Sequence, residues 1–208
     1  MNNQSRPTNR AILLLLGLLL PATIALTSAR ADDSAMATTR QFVDQALHIL
    51  GDKQTPTAQR QQQLRQLLEP RFDFKEMSRS TLGYHWKTLS AQQRDDFADV
   101  FKNFIEAAYL NKINSYAGQQ VQFDREASLG TGYAQVFTKI VQAGKAPIPV
   151  NYLLEQTPSG WKVYDVTVDN ISIIANYRNQ FNRILNDQGF DQLVADLKAK
   201  QQQLSLTS

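Results

Sequence analysis

Residues 161–181, WKVYDVTVDNISIIANYRNQF, change period in mid-stretch, and that change decides the fold. From Trp161 to Val168 the residues alternate, with Trp161, Val163 and Asp165 on one face and Lys162, Tyr164, Val166 and Val168 on the other. Asp169-Asn170 reads as a turn, because both side chains bond nearby backbone and tolerate left-handed geometry. Beyond it, Ile171, Ile174, Tyr177, Arg178 and Phe181 recur at helical steps of three and four. A two-residue period passing into 3.6 across a tight turn predicts a strand feeding directly into a helix. Large apolar groups line the seam between them.

Working outward, the chain has 208 residues, a length for one domain with small additions. Residues 1–31 have the pattern of a cleaved signal peptide. Arg6 and Arg10 precede an apolar run from Ala11 to Leu26, broken by Gly17 and Pro21, and Ala29-Arg30-Ala31 places small residues at a cleavage site. The apolar run is short for a bilayer span. This segment carries three arginines and no acid, so the remainder holds 19 Lys+Arg against 19 Asp+Glu and is formally neutral. The basic balance of the whole chain is therefore poor support for nucleic-acid binding. With no cysteine, disulfides, thiol chemistry and lipoprotein attachment are excluded. An exported chain stabilised by its core alone fits the bacterial periplasm.

Residues 32–200 read as one domain, with 201–208 as a flexible tail. Phe42, Val43, Ala46, Leu47, Ile49 and Leu50 mark a first helical face closed by Gly51. Thr57 is placed to cap a second helix through Leu64, Leu67 and Leu68, which Glu69-Pro70 stops. Asp73, with Glu76 three residues on, predicts a short capped helix carrying Phe74, Met77 and Leu82, and Gly83 ends it. Ser90 and Gln93 form a capping box for the longest helix. Its stripe runs through Phe97, Val100, Phe101, Phe104, Ile105, Ala108, Tyr109 and Ile113, which suits solid core and a cavity wall equally.

From residue 121 the texture turns β-rich: 121–123, 133–141, 148–155 and 161–168, separated by Gly-, Pro- and Ser-containing turns. Short connections between consecutive strands predict an antiparallel meander. Val150, Tyr152 and Leu154 are assigned to its helix-facing side, with Asn151 and Glu155 outward. Helices return at 173–188 and 191–200. The order of helices, strands and helices gives an α+β fold, with helices packed on one face of a curved antiparallel sheet. No Gly-rich phosphate loop, HExxH or GxSxG occurs, and two histidines 37 residues apart do not anchor an ordinary zinc site. No cofactor is implied. Asp165 on an inward face is a candidate general base, with a backbone cap or an ion pair as the plainer use. Tyr84, His85 and Trp86 read as packing rings, since no carboxylate orienter lies nearby in sequence.

Pro70-Arg71-Phe72-Asp73-Phe74, Leu82-Gly83-Tyr84-His85-Trp86, Phe97 to Tyr109, Val150-Asn151-Tyr152 and the opening stretch together resemble the MlaC / toluene-tolerance family of periplasmic phospholipid carriers. The match spans nearly the whole chain after residue 31. It departs at Asp169-Asn170, where the family commonly has an acidic residue followed by Gly. The resemblance implies an NTF2-like α+β fold around a deep apolar pocket for lipid tails. It also implies two partners: an outer-membrane lipoprotein complex of the MlaA type, and an inner-membrane ABC transporter carrying an MCE-domain subunit of the MlaD type. Inward phase assigns Phe74, Met77, Trp86, Phe101, Phe104, Tyr152, Val163, Ile171, Ile174 and Phe181 to the pocket wall, with ordinary core as the alternative for each. An enzyme of the same fold using Asp165, and a lipid-free adaptor, are the competing functions.

Overall fold

A computed structural model describes residues 34–110 and 115–206. The leader, Ile113 and residues 207–208 lie outside the described residues. Four helices come first: α1 (Ala35–Gly51), α2 (Thr57–Leu68), α3 (Phe74–Leu82) and α4 (Ala91–Leu110). Strands β1 (Gln120–Gly130), β2 (Tyr133–Val141), β3 (Ile148–Thr157), β4 (Gly160–Val168) and the two-residue β5 (Ile171–Ser172) follow. The chain then closes with α5 (Ile173–Asp187) and α6 (Phe190–Leu206). The five strands pair in sequence order, each antiparallel to the next, so the sheet is the expected meander in an α+β fold.

The helix starts follow from local hydrogen bonding. Ser90 Oγ accepts from Gln93 N at 3.1 Å while Gln93 Oε1 accepts from Ser90 N at 2.9 Å, a reciprocal capping box. Asp73 accepts from Glu76 N at 2.8 Å and opens α3. At α2 the cap position is Pro56, not Thr57, and no side chain bonds there. Asp52 organises that connection instead, accepting from Gln54 N, Thr55 N and Thr55 Oγ1. The last helix runs past Lys200 to Leu206, through residues 201–206 that read as tail, and Leu204 packs against the helical core.

The opening stretch folds as expected in outline and differently in detail. Asp169 and Asn170 adopt φ of 51° and 64°, which makes a two-residue turn with Val168 opposite Ile171. The chain therefore makes a short hairpin before the helix. A second departure comes in β4, where Leu153 faces Asp165 but Leu154 faces Val163. Tyr164 is the extra residue of a β-bulge. The bulge resets the alternation, so Val163 and then Val166 and Val168 face the helices, while Asp165 turns to the other face.

Two large hydrophobic cores form, with a small third cluster of Leu64 and Leu110 between α2 and α4. In one, Ala35, Phe42 and Val43 of α1 pack on Ala134, Val136, Leu154 and Val163 of the sheet. In the other, α3–α6 bury Met77, Leu82, Trp86, Phe97, Phe101, Phe104, Ile174, Phe181 and Leu185 together with Leu193 and Leu197. Phe97 stands edge-on to Phe181 at 6.2 Å, as does Phe101 at 5.9 Å, an arrangement that suits the quadrupoles of the rings. Among the described residues, no helix is long and apolar enough to cross a membrane.

Candidate functional site

Two largely apolar hollows open among the helices and the sheet. A chamber of about 550 Å³ lies among α1 (Ala46, Leu47, Leu50), α2 (Leu64, Leu68), the end of α4 (Tyr109, Leu110) and the sheet (Val121, Ile140, Ile148). Ser115, Tyr116, Gln119, Gln142, Lys145 and Ala146 complete its lining. A second chamber of about 230 Å³ lies deeper, where α2, α3, α4 and α5 meet the inner face of β3 and β4. Leu68, Phe72, Phe74, Met77, Ile105, Tyr109, Leu110, Tyr152, Val166, Val168 and Ile173 line it, with the charged pair Arg65 and Glu106 beside them. Leu68, Tyr109 and Leu110 belong to both linings, so the chambers adjoin.

Sequence patterning puts these groups there. Leu64 and Leu68 repeat at four residues on α2, and Ile105 and Tyr109 at four on α4, so each helix presents an apolar edge to the hollow. The bulge at Tyr164 brings Val166 and Val168 round to face it. Tyr152 lines the smaller chamber, and burial pushes its phenol up to about 12.

Arg65 and Glu106 of the smaller chamber's lining pair with each other, and a second ion pair lies nearby. Arg65 Nε lies 3.2 Å from Glu106 Oε2, and Lys102 Nζ lies 2.7 Å from Glu69 Oε1, two ion pairs that lace α2 and its 3₁₀ extension to α4. Burial raises Glu106 above the usual carboxylate range, outweighing the opposing pull of Arg65 and Lys102. The Tyr109 and Tyr177 hydroxyls are hydrogen-bond neighbours. Burial and then the neighbouring Tyr109 hydroxyl hold the Tyr177 phenol above its ordinary range.

Of the ten residues assigned to a pocket wall from sequence, Phe74, Met77 and Tyr152 line the smaller chamber. Trp86, Phe101, Phe104, Ile174 and Phe181 lie in the helical core and border neither chamber. Val163 is fully buried in the sheet-side core. Ile171 is 63% exposed, because pairing with Val168 fixes it in the hairpin ahead of the helix, outside the helical period that suggested an inward side chain. The residues missed are chiefly Leu68, Phe72, Tyr109, Leu110, Val166 and Val168. Tyr109 was legible as part of the α4 stripe. Val166 and Val168 were not, because strict alternation assigns them to the opposite face from Val163.

Asp165 is committed to structure. Its carboxylate accepts from Val166 N at 2.7 Å, Ser172 Oγ at 2.6 Å and Ile174 N at 3.2 Å, which ties β4 to the first turn of α5. The three rings in 84–86 also pack: Tyr84 lies on His85 at 3.9 Å and Trp86 is buried. Lys75 pairs with Asp95, and Arg79 with Glu76.

An α+β domain whose helices and curved sheet border adjoining, largely apolar chambers has the build of a receptor for an apolar ligand. The family model described as MlaC protein matches residues 40–199, and the chain belongs to that family. It is 28% identical over 192 residues to the intermembrane phospholipid transport system binding protein MlaC of Haemophilus influenzae, covering 88% of this chain and 90% of that protein. It is also 28% identical over 129 residues to the toluene tolerance protein ttg2D of Pseudomonas putida, covering 62% of this chain and 60% of that one. A phospholipid-binding protein from Ralstonia solanacearum, solved in complex with a phospholipid, superposes with a TM-score of 0.74 at 28% identity. That match covers 83% of this chain and 99% of the other.

Proposed function

We propose that this protein is a periplasmic phospholipid carrier that holds acyl chains in its apolar chambers and exchanges them by docking. The observation that carries the reading is the pair of adjoining apolar chambers in a member of the MlaC family. The lipid-bound Ralstonia neighbour supports the class of ligand. Residues 1–31 serve as the cleaved export signal, and residues from 32 onward form the single carrier domain.

The energetics set the mechanism. Two chains of about 16 carbons hide on the order of 28 methylenes, and at about 0.8 kcal/mol each the gross hydrophobic term exceeds 20 kcal/mol. Non-covalent affinity saturates near that level, so release of such a ligand into water is too slow to serve transport. Transfer therefore proceeds through a partner that offers an apolar path, without crossing water. The partners proposed are an outer-membrane lipoprotein complex of the MlaA type and an inner-membrane ABC transporter with an MCE-domain subunit of the MlaD type. Exchange between the two would maintain the lipid asymmetry of the outer membrane. Formal neutrality after removal of the leader suits a protein that must leave both membrane surfaces readily. The role is one of binding: Asp165, the candidate general base, is engaged in capping.

Native mass spectrometry of protein purified from cells, with an organic extract analysed in parallel, tests the proposal. One two-chain phospholipid bound to each folded molecule is the expected result. An empty, stable protein would exclude the carrier function and leave an adaptor.

A further inference from the structure

Leu68, Tyr109 and Leu110 line both chambers, and of the three Tyr109 alone carries a polar tip, with the Tyr177 hydroxyl as its neighbour. Tyr177 is itself held by the helical core. It stands edge-on to Phe101 and Phe104, with ring centroids 5.9 and 5.4 Å apart, and tilts against Phe181 at 5.5 Å. A ring bonded at its hydroxyl swings aside less readily than an alkyl group. Tyr109 keeps 42% of its surface accessible and lines both chambers.

We propose that Tyr109 is a partition that sends the two chains of one lipid into separate chambers of unequal depth, so that two-chain phospholipids are selected over single-chain ones. The inference rests on the phospholipid reading above. The larger chamber has more than twice the volume of the smaller, about 550 against about 230 Å³. The larger takes one chain, and the smaller takes the inner part of another. A lipid with one chain fills the larger chamber and leaves the smaller without an occupant. Its lining of Phe74, Met77, Ile105 and Val166 offers water few polar partners, so the unfilled chamber counts against single-chain ligands. Tyr177 is a positioning residue: it acts on the lipid through Tyr109.

The test compares the lipids extracted from, and seen by native mass spectrometry on, the full chain and four variants, with Tm recorded for each. Wild-type protein is expected to carry two-chain lipid and to retain it against an equimolar amount of lysophospholipid. Tyr109→Ala merges the chambers and should raise the total acyl carbon bound per molecule. Tyr109→Phe and Tyr177→Phe keep the ring and remove the anchoring bond, and should shift the distribution the same way but less far. Ile105→Trp fills the smaller chamber and should raise the lysophospholipid share at least tenfold, which reads the same partition should Tyr109→Ala not fold. Loaded variants with the wild-type chain distribution, in Tyr109→Ala or in Ile105→Trp, overturn the partition alone. A wild-type protein without lipid overturns the phospholipid reading and the partition with it.

Discussion

The Asp165 carboxylate bridges a strand, a hairpin and a helix. Three donors converge on a group only 8% exposed, and each bond to a charged acceptor in such a place is worth more than a neutral one. Asp165→Ala leaves those donors without a partner and should destabilise the fold by about 2–3 kcal/mol, measured by urea unfolding. Glu106 behaves in the opposite sense. Its pKa in the folded chain lies above that in the unfolded chain, so its ionisation disfavours folding. That destabilisation is present above the raised pKa and fades as the pH falls through it. Glu106→Gln should therefore melt no lower than wild type near neutral pH, with any gain vanishing by about pH 4. Arg65, half-exposed, is able to turn to water when its partner loses charge. A variant that melts well below wild type near neutral pH would mean that the pair outweighs the burial of Glu106.

At the scale of elements, the hairpin between β4 and β5 controls where α5 begins. Asp169 and Asn170 both sit in left-handed geometry, the requirement of a two-residue turn whose twist matches the flanking strands. Asn is well suited to that region among residues with a side chain, and Gly suits it without strain. Asn170→Gly should change stability by less than about 0.5 kcal/mol, whereas Asn170→Val should cost about 1–2 kcal/mol, both read from unfolding midpoints. The β-bulge two turns of pleat earlier is the other control point. It lets one strand cap a helix on one face with Asp165 while lining a chamber on the other with Val166 and Val168. A regular strand, with its fixed period of two, would place Val163 and Val166 on opposite faces.

For the whole molecule, the division between solid and hollow regions is what makes a receptor. The aromatic cluster of α3–α6 is close-packed and holds Tyr177, the hydrogen-bond neighbour of Tyr109. Large-to-small changes there act on folding: Trp86→Ala should cost about 3–5 kcal/mol, while the molecules that remain folded keep their lipid. A charge at Phe104 or Ile174, both buried in this cluster, should likewise unfold the protein and not simply empty it. Tyr152 lies on the chamber side. Tyr152→Glu places a carboxylate among acyl chains and should give a folded protein without lipid, seen as loss of the bound mass at an unchanged circular-dichroism spectrum. Lipid retained by Tyr152→Glu would remove the smaller chamber from the binding site.

The order of elements, the capping box at Ser90, the Asp73 cap, the antiparallel meander and the turn at Asp169-Asn170 were all readable in the chain, because each follows from interactions between residues close in sequence. Periodicity also reported correctly that Phe101, Phe104, Ile174 and Phe181 avoid water. It could not report what they face. The same apolar edge of a helix closes onto a neighbour as solid core or stops short of it and leaves a chamber, and the difference lies in the distance between elements far apart in the chain. Ile171 and Val166 mark the same limit, since a hairpin pairing and a bulge, both set by a partner strand, reversed the faces that local spacing had assigned. The sequence by itself determined the elements, their order and their buried edges, and through them membership of an α+β class. Only the tertiary structure decided where those edges fail to meet, and so which side chains, Tyr109 among them, line the chambers.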